Sequence, residues 1–236
     1  MLLKRRSSSE APEATVPQDA LRRLPDSYVF APALATLAAP SPTSDVVHRI
    51  AAEVITRHLQ LGRRGLAVCG AAAGAGATLA AANLAVALSQ TGIPTVLIDA
   101  NLREPGLDAL ISPPTAPAGL LQYMTSDVAR SDVLQRDVLP KLDLMYAGGL
   151  VEDPGRVLAG GRFKKLVSSL MREYGCVIVD TPPANRCAET LAITAAVGYA
   201  IIVGRRNLSY IDDIRVLRGE LIKDGVTVFG SIFNAG

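Results

Sequence analysis

Asp180 closes the β-branched apolar run CVIVD (176–180), and the two prolines of VIVDTPP (177–183) force the chain out of it in one direction. A carboxylate at such a strand end can hold a magnesium-bound water. Asp99 closes a second run of the same kind, TVLID (95–99), and the stretch VLIDANLREP (96–105) sets Asp99, Asn101 and Arg103 in one loop. A plainer role for Asp99 is to cap the turn that follows it. The third stretch, CGAAAGAGATLAAANLA (69–85), has the rhythm of a phosphate-binding loop running into a helix. In such a loop glycines let backbone amides converge on phosphate oxygens at a helix N-terminus, where the helix dipole adds to the attraction. A lysine then meets the β- and γ-phosphates, and the next serine or threonine ligates magnesium. Gly74, Ala75, Gly76 and Thr78 stand in the matching places, but the lysine position holds Ala77. Taken alone, an alanine-rich packing helix explains the stretch about as well.

Elements that position these residues can be read from periodicity. SDVVHRIAAEVITRHLQ (44–60) carries apolar residues at 46, 47, 50, 54 and 55, a helical stripe with Ser44 or Asp45 as its cap. LAVC (66–69) is a short buried strand before the glycine-rich turn, and a helix from about Thr78 to Gln90 follows, stopped by Gly92. LDLMYAGG (142–149) reads as a strand entering a loop, residues 155–173 as one amphipathic helix, and YAIIVG (199–204) and VTVFGSIFN (226–234) as further strands. Helices fill 188–197 and 209–223. Strands alternating with helices require right-handed crossovers and a parallel sheet covered on both faces, an α/β fold whose ligands sit at the carboxyl edge of the strands.

Composition narrows the classes. With 236 residues, 49% hydrophobic and 19% charged, the chain can bury one good core. A net charge of +2 is too mild to argue for nucleic acid. Three widely spaced cysteines match neither a disulfide framework nor a metal cluster, which makes a reducing cytoplasm the expected setting. Cys69 and Cys176 lie in apolar runs, as small core fillers do, and His48 and His58 have no neighbours resembling a metal or catalytic site. The longest uncharged stretch, Leu66 to Leu88, could span a bilayer by length. Its alanines and glycines supply little transfer free energy, so it reads as a loop and helix of a soluble protein with no span of its own. Residues 1–41, rich in proline, alanine and serine, read as a largely disordered tail before a domain over 42–236. Within that tail Tyr28-Val29-Phe30 is an apolar island that can dock on a partner or on the domain itself.

In order and spacing the three motifs resemble the bacterial tyrosine kinases of capsular and exopolysaccharide biosynthesis, within the P-loop group that includes the septum- and plasmid-positioning (MinD/ParA-like) ATPases. The resemblance covers about 42–236. AGAGATLAAANLA stands where those kinases carry a loop like PGEGKST followed by AANLA. LIDANLREP matches LIDADLRRP, VDTPP matches IDTPP, and Gly230 and Asn234 match a GxxxN strand. GLLQYM (119–124), LMYAGG (144–149) and EDPGRVL (152–158) fall in the family's order between the motifs.

The resemblance implies a three-layer P-loop sandwich. It further implies a nucleotide site at Gly74, Ala75, Gly76, Ala77, Thr78, Arg103 and Asn234, the last facing the adenine. ATP or ADP would bind with Mg2+ held through Thr78, Asp99 and Asp180, one carboxylate serving as the general base of an active enzyme. Four departures point instead to a pseudoenzyme. Ala77 removes the lysine, Asn101 replaces a carboxylate, and Asp45, His48 and Ala51 stand for the family's Glu-x-x-Arg-x-x-Arg subunit-contact motif. Finally, no tyrosine-rich tail follows Asn234. The expectation is a cytoplasmic kinase-like subunit of exopolysaccharide synthesis and export, impaired in catalysis. It would sit peripherally at the inner membrane through a membrane chain-length-determinant (co-polymerase) partner, with homo-oligomers as a further option. The alternatives are an active tyrosine autokinase or ATPase, and a MinD/ParA-like positioning ATPase.

Overall fold

A computed structural model describes residues 28–235. Its first long helix, α1 (Pro42–Arg57), starts earlier than the apolar stripe indicates. Ser41 is the cap, accepting the Ser44 N–H at 3.1 Å while the Ser44 hydroxyl oxygen accepts the Ser41 N–H at 2.9 Å. This reciprocal pair satisfies two otherwise orphaned donors, and Pro42 costs nothing at the first helical position, which needs no N–H bond. Ser44 and Asp45 therefore lie inside the helix.

Seven strands form the central sheet: β2 (Gly65–Gly70), β3 (Thr95–Asp99), β5 (Gln135–Leu139), β6 (Leu142–Met145), β7 (Cys176–Asp180), β8 (Tyr199–Arg205) and β9 (Thr227–Asn234). Their order is β5-β6-β3-β7-β2-β8-β9, parallel throughout except that β5 runs antiparallel to β6. The inner strands β2, β3 and β7 are buried at every residue, as a sheet covered on both faces demands. Strand β5 was not foreseen. Its sequence QRDVL is half polar because it forms the outer edge, and Asp137 takes a positive φ of 51° beside a register shift.

On one face α1 and α2 (Ala77–Gln90) pack with Leu66, Leu97, Ile178 and Val203. Helix α2 is apolar on all sides and buried from Ala81 to Ser89, which suits a helix enclosed by its neighbours. The other face is covered by α7 (Gly161–Glu173), α8 (Glu189–Val197) and α9 (Ile211–Lys223), through residues such as Phe163, Leu170, Ile193 and Leu217. The expected single helix over 155–173 is two, α6 (Pro154–Leu158) and α7, because the chain leaves helical geometry at Gly160. Short helices α3 (Leu107–Leu110), α4 (Leu120–Thr125) and α5 (Arg130–Val133) fill the connection between β3 and β5.

For residues 28–41 the expectation of a disordered tail is corrected; residues 1–27 lie outside the described residues. Val29–Phe30 (β1) pairs antiparallel with Ile111–Ser112 (β4), and Leu34 is 1% exposed in the α1–α2 layer. The backbone N–H of Thr36 donates to the Asn83 side-chain oxygen at 3.3 Å, and the Gln90 amide donates to the Thr36 carbonyl at 2.9 Å. The apolar island thus docks on its own domain, and polar side chains of α2 satisfy the backbone of a segment that has no regular partner.

Candidate functional site

The three motifs converge at the carboxyl ends of adjacent strands. β2 delivers the glycine-rich loop, β3 delivers Asp99, and β7, hydrogen-bonded between them, delivers Asp180. Asp99 and Asp180 are direct register partners across β3 and β7.

Loop geometry follows from its glycines. Gly74 and Gly76 take φ of +75° and +90°, a region costly for residues with a Cβ. A Cβ at Gly76 would also stand 2.6 Å from the Asn234 amide nitrogen. The loop ends in α2, whose N-terminus is capped by no side chain and so leaves its first backbone donors for a ligand. In front lies a cleft of ≈ 310 Å³ whose lining includes Gly76, Ala77, Thr78, Asn101, Glu104 and Thr181. Among the described residues no lysine or arginine lines it, and Glu104 is the one charged residue that does. A larger cavity of ≈ 390 Å³ between α1 and β9 shares no lining residue with the three motifs.

The two aspartates have different tasks. Asp99 accepts the N–H groups of Asn101 at 3.0 Å and of Gly106 and Leu107 at 3.2 Å each, so it organises the whole turn after β3. Burial pushes its carboxyl up to about 6, opposed by those three donors. Asp180 is 1% exposed, and neither carboxylate oxygen makes a hydrogen bond among the described residues. Burial and then the nearby Asp99 charge hold its carboxyl well above the ordinary range; the Thr78 hydroxyl pulls weakly the other way without closing a hydrogen bond. An orphaned buried carboxylate facing Thr78 fits a divalent cation, and these two residues would hold it. Asp99 already accepts three backbone N–H groups.

Asn101 also has a local task. Its carboxamide accepts the Glu104 N–H at 3.1 Å and donates to the Glu104 carbonyl at 2.6 Å. A carboxylate cannot make the second bond, so the amide suits this turn better than an aspartate would. Arg103 lies outside the cleft lining; its Nε donates to Glu189 at 2.5 Å, and the Glu189 side chain is 3% exposed. The Asn234 amide donates to the Ala75 carbonyl at 3.3 Å, holding the loop from behind.

Glu104, Thr181 and Gly106 carry no chemical signal of their own in the sequence, although Glu104 and Thr181 lie within the marked motifs and Gly106 directly follows one. Thr181 donates to the Val68 carbonyl at 3.1 Å, tying β7's exit to β2. Arg205 donates to the Gly74 carbonyl at 3.2 Å; an arginine ending a strand gave no signal that would separate it from a solvated one. Cys69 and Cys176, both pushed up to about 12 by burial, are packed fillers.

Comparisons with known proteins agree with this geometry. Over 162 residues the chain is 32% identical to a putative tyrosine-protein kinase, EpsB, of Ralstonia solanacearum, covering 69% of this chain and 22% of that protein. It is 24% identical to the putative tyrosine-protein kinase CapB of Staphylococcus aureus, covering 67% and 69%. Its homologues are bacterial tyrosine-protein kinases. The chain spans only about a fifth of the length of the two EpsB relatives, 22% and 21%. No family model matches.

The kinase domain of the Escherichia coli tyrosine kinase ETK has the same fold, with a TM-score of 0.81 at 23% identity, over 87% of this chain and 80% of that one. The septum site-determining protein MinD of Pyrococcus horikoshii, solved with Mg-ADP, superposes at a TM-score of 0.62 and 19% identity, over 72% and 70%. The chain therefore shares the α/β fold of these proteins. Among its described residues no helix is long and apolar enough to cross a membrane.

Proposed function

We propose that this chain is a kinase-like subunit of an exopolysaccharide biosynthesis and export system, impaired in catalysis, that works through a membrane chain-length-determinant partner. One observation carries the impaired reading: among the described residues, a cleft with the backbone of a phosphate loop is lined by no cation, with Ala77 at the lysine place. The glycine loop and the N-terminus of α2 would take phosphate oxygens through backbone donors alone, and Thr78 with Asp180 would take Mg2+. Bound Mg2+ supplies charge neutralisation for a phosphate. This chain's residues orient the loop and hold the metal's carboxylate. Losing one charge-assisted hydrogen bond weakens binding by roughly 1.5–3 kcal/mol. Losing a preorganised transition-state contact slows chemistry by about 10²–10³.

The intact Thr78–Asp180 pair favours a second reading, an active autokinase or ATPase with an unusual loop. The positioning-ATPase reading rests on fold alone. Calorimetry with Mg-ADP, beside turnover and autophosphorylation assays, separates them. The expected result is weak nucleotide binding, no tyrosine autophosphorylation, and an affinity gain of roughly 10- to 150-fold in Ala77→Lys. Micromolar binding with turnover in the unmodified protein would overturn the impaired reading. Copurification with a two-helix membrane protein tests the partner.

A further inference from the structure

Resting on the reading of residues 70–78 as a phosphate cradle, we infer that Arg205 is a positioning residue for phosphate, gripping that loop from outside in place of the missing lysine. Two consecutive loop peptides are held by their carbonyls from the β8–β9 side. The guanidinium of Arg205, at the end of β8, donates to the Gly74 carbonyl at 3.2 Å, and the Asn234 amide, at the end of β9, donates to the Ala75 carbonyl at 3.3 Å. The two residues are neighbours, Arg205 being the register partner of Asn234.

In a trans peptide the C=O and the following N–H point in opposite directions. A donor fixed on the outer carbonyl therefore aims the N–H on the other side. For the peptide joining Ala75 and Gly76, that N–H belongs to Gly76 and makes no backbone hydrogen bond among the described residues. For the peptide joining Gly74 and Ala75, the N–H closes a turn onto the Ala72 carbonyl at 3.2 Å, fixing the curvature of the cradle. A cation on a carbonyl also polarises its amide, strengthening the donors chained to it. Positive charge thus reaches the loop through its backbone without lining the cleft.

The other arginine in the motifs is unavailable for this task. Arg103 is committed to Glu189, with burial opposed by that ion pair. Among the described residues Arg205 makes one side-chain hydrogen bond, to the loop, and its neighbour Leu208 packs within 3.5 Å of where a Cβ on Gly74 would lie. The ligand end is marked independently by the orphaned, buried Asp180 carboxylate facing Thr78.

The test is pyrophosphate and Mg-ADP binding by calorimetry at two salt concentrations, for the unmodified chain, Arg205→Ala, Arg205→Lys and Ala77→Lys, with Arg205→Ala also placed on Ala77→Lys. Arg205→Ala is expected to weaken pyrophosphate about tenfold and to flatten the salt dependence, while leaving adenosine binding and the thermal unfolding midpoint unchanged. Arg205→Lys should recover part of the loss. A role confined to fold stability would move the midpoint and leave the salt dependence alone, and that result overturns the inference. If Ala77→Lys binds pyrophosphate and removal of Arg205 changes the affinity in neither background, the grip is refuted while the cradle stands. If even Ala77→Lys binds nothing, the cradle reading falls, and the inference with it.

Discussion

Asp180→Asn should make the protein more stable at pH 8, by an amount that shrinks as the pH falls. The wild-type carboxyl is buried, accepts no hydrogen bond among the described residues and faces the buried Asp99 across the β3–β7 ladder. A carboxyl whose folded pKa lies above its unfolded value binds more protons when folded, so its stabilising contribution is complete below the unfolded pKa, near 4, and is lost as pH rises through the folded one. Burial raises the Asp99 carboxyl from 3.8 to about 6 against its three N–H donors. About two pH units correspond to roughly 3 kcal/mol.

Asp180 is as buried, and burial first and then the Asp99 charge raise its carboxyl in the same direction, opposed by the Thr78 hydroxyl and the Thr181 N–H. Its amide replacement still leaves a buried polar group unsatisfied, a cost of about 1–3 kcal/mol. On that scale the net gain at pH 8 is about 0–2 kcal/mol, falling towards zero or below at pH 4.5. Urea unfolding followed by circular dichroism from pH 4.5 to 8 measures it. His58 acts in the opposite sense, since burial first, and then the Arg63 charge, lower its pKa against a hydrogen bond to the Gly65 carbonyl. Its contribution is present above about 6.5 and lost as the pH falls below that. The difference between variant and unmodified protein cancels it. A variant less stable than the unmodified chain at pH 8 without added metal would refute the reasoning, because it would mean Asp180 has a compensating partner. Added Mg2+ should stabilise the unmodified protein and leave Asp180→Asn unaffected.

Leu34→Ala should cost about 2–5 kcal/mol in the same assay, because Leu34 is fully enclosed between the 28–41 segment and the α1–α2 layer; a loss below 0.5 kcal/mol would show the segment is not packed there in solution. Arg103→Ala should lower the thermal unfolding midpoint, since Glu189 is left buried without its cation while Arg103 itself is 42% exposed. The double variant Arg103→Ala/Glu189→Gln should regain part of that loss, and a thermal unfolding series checks it.

How much of this was legible in the residues follows from whether a signal was local. TVLID and CVIVD are continuous apolar runs ended by an acid, so both strands and the convergence of Asp99 with Asp180 could be read directly, as could α2 behind its glycines. β5 could not, because an edge strand needs no buried face and QRDVL carries the charges an edge tolerates. The 28–41 segment reads as a tail because what secures it, Asn83, Gln90 and Leu110, lies dozens of residues ahead. Arg103 was matched to nucleotide by its motif, but its ion pair is 86 residues away.

Asn101 shows the limit most clearly. Against the motif it is a lost carboxylate, a mark of lost chemistry. In the fold it is a donor and acceptor at once, a pairing only an amide makes, and the turn it closes presents Glu104 to the cleft. Departures that look like decay can thus be choices for a different local structure. Ala77, in contrast, is a departure that no described side chain in the cleft lining offsets. Donors that could make up for it act from behind the loop, through Gly74 and Ala75. That geometry leaves the cradle its shape while taking from its mouth the charge that would meet a departing phosphate.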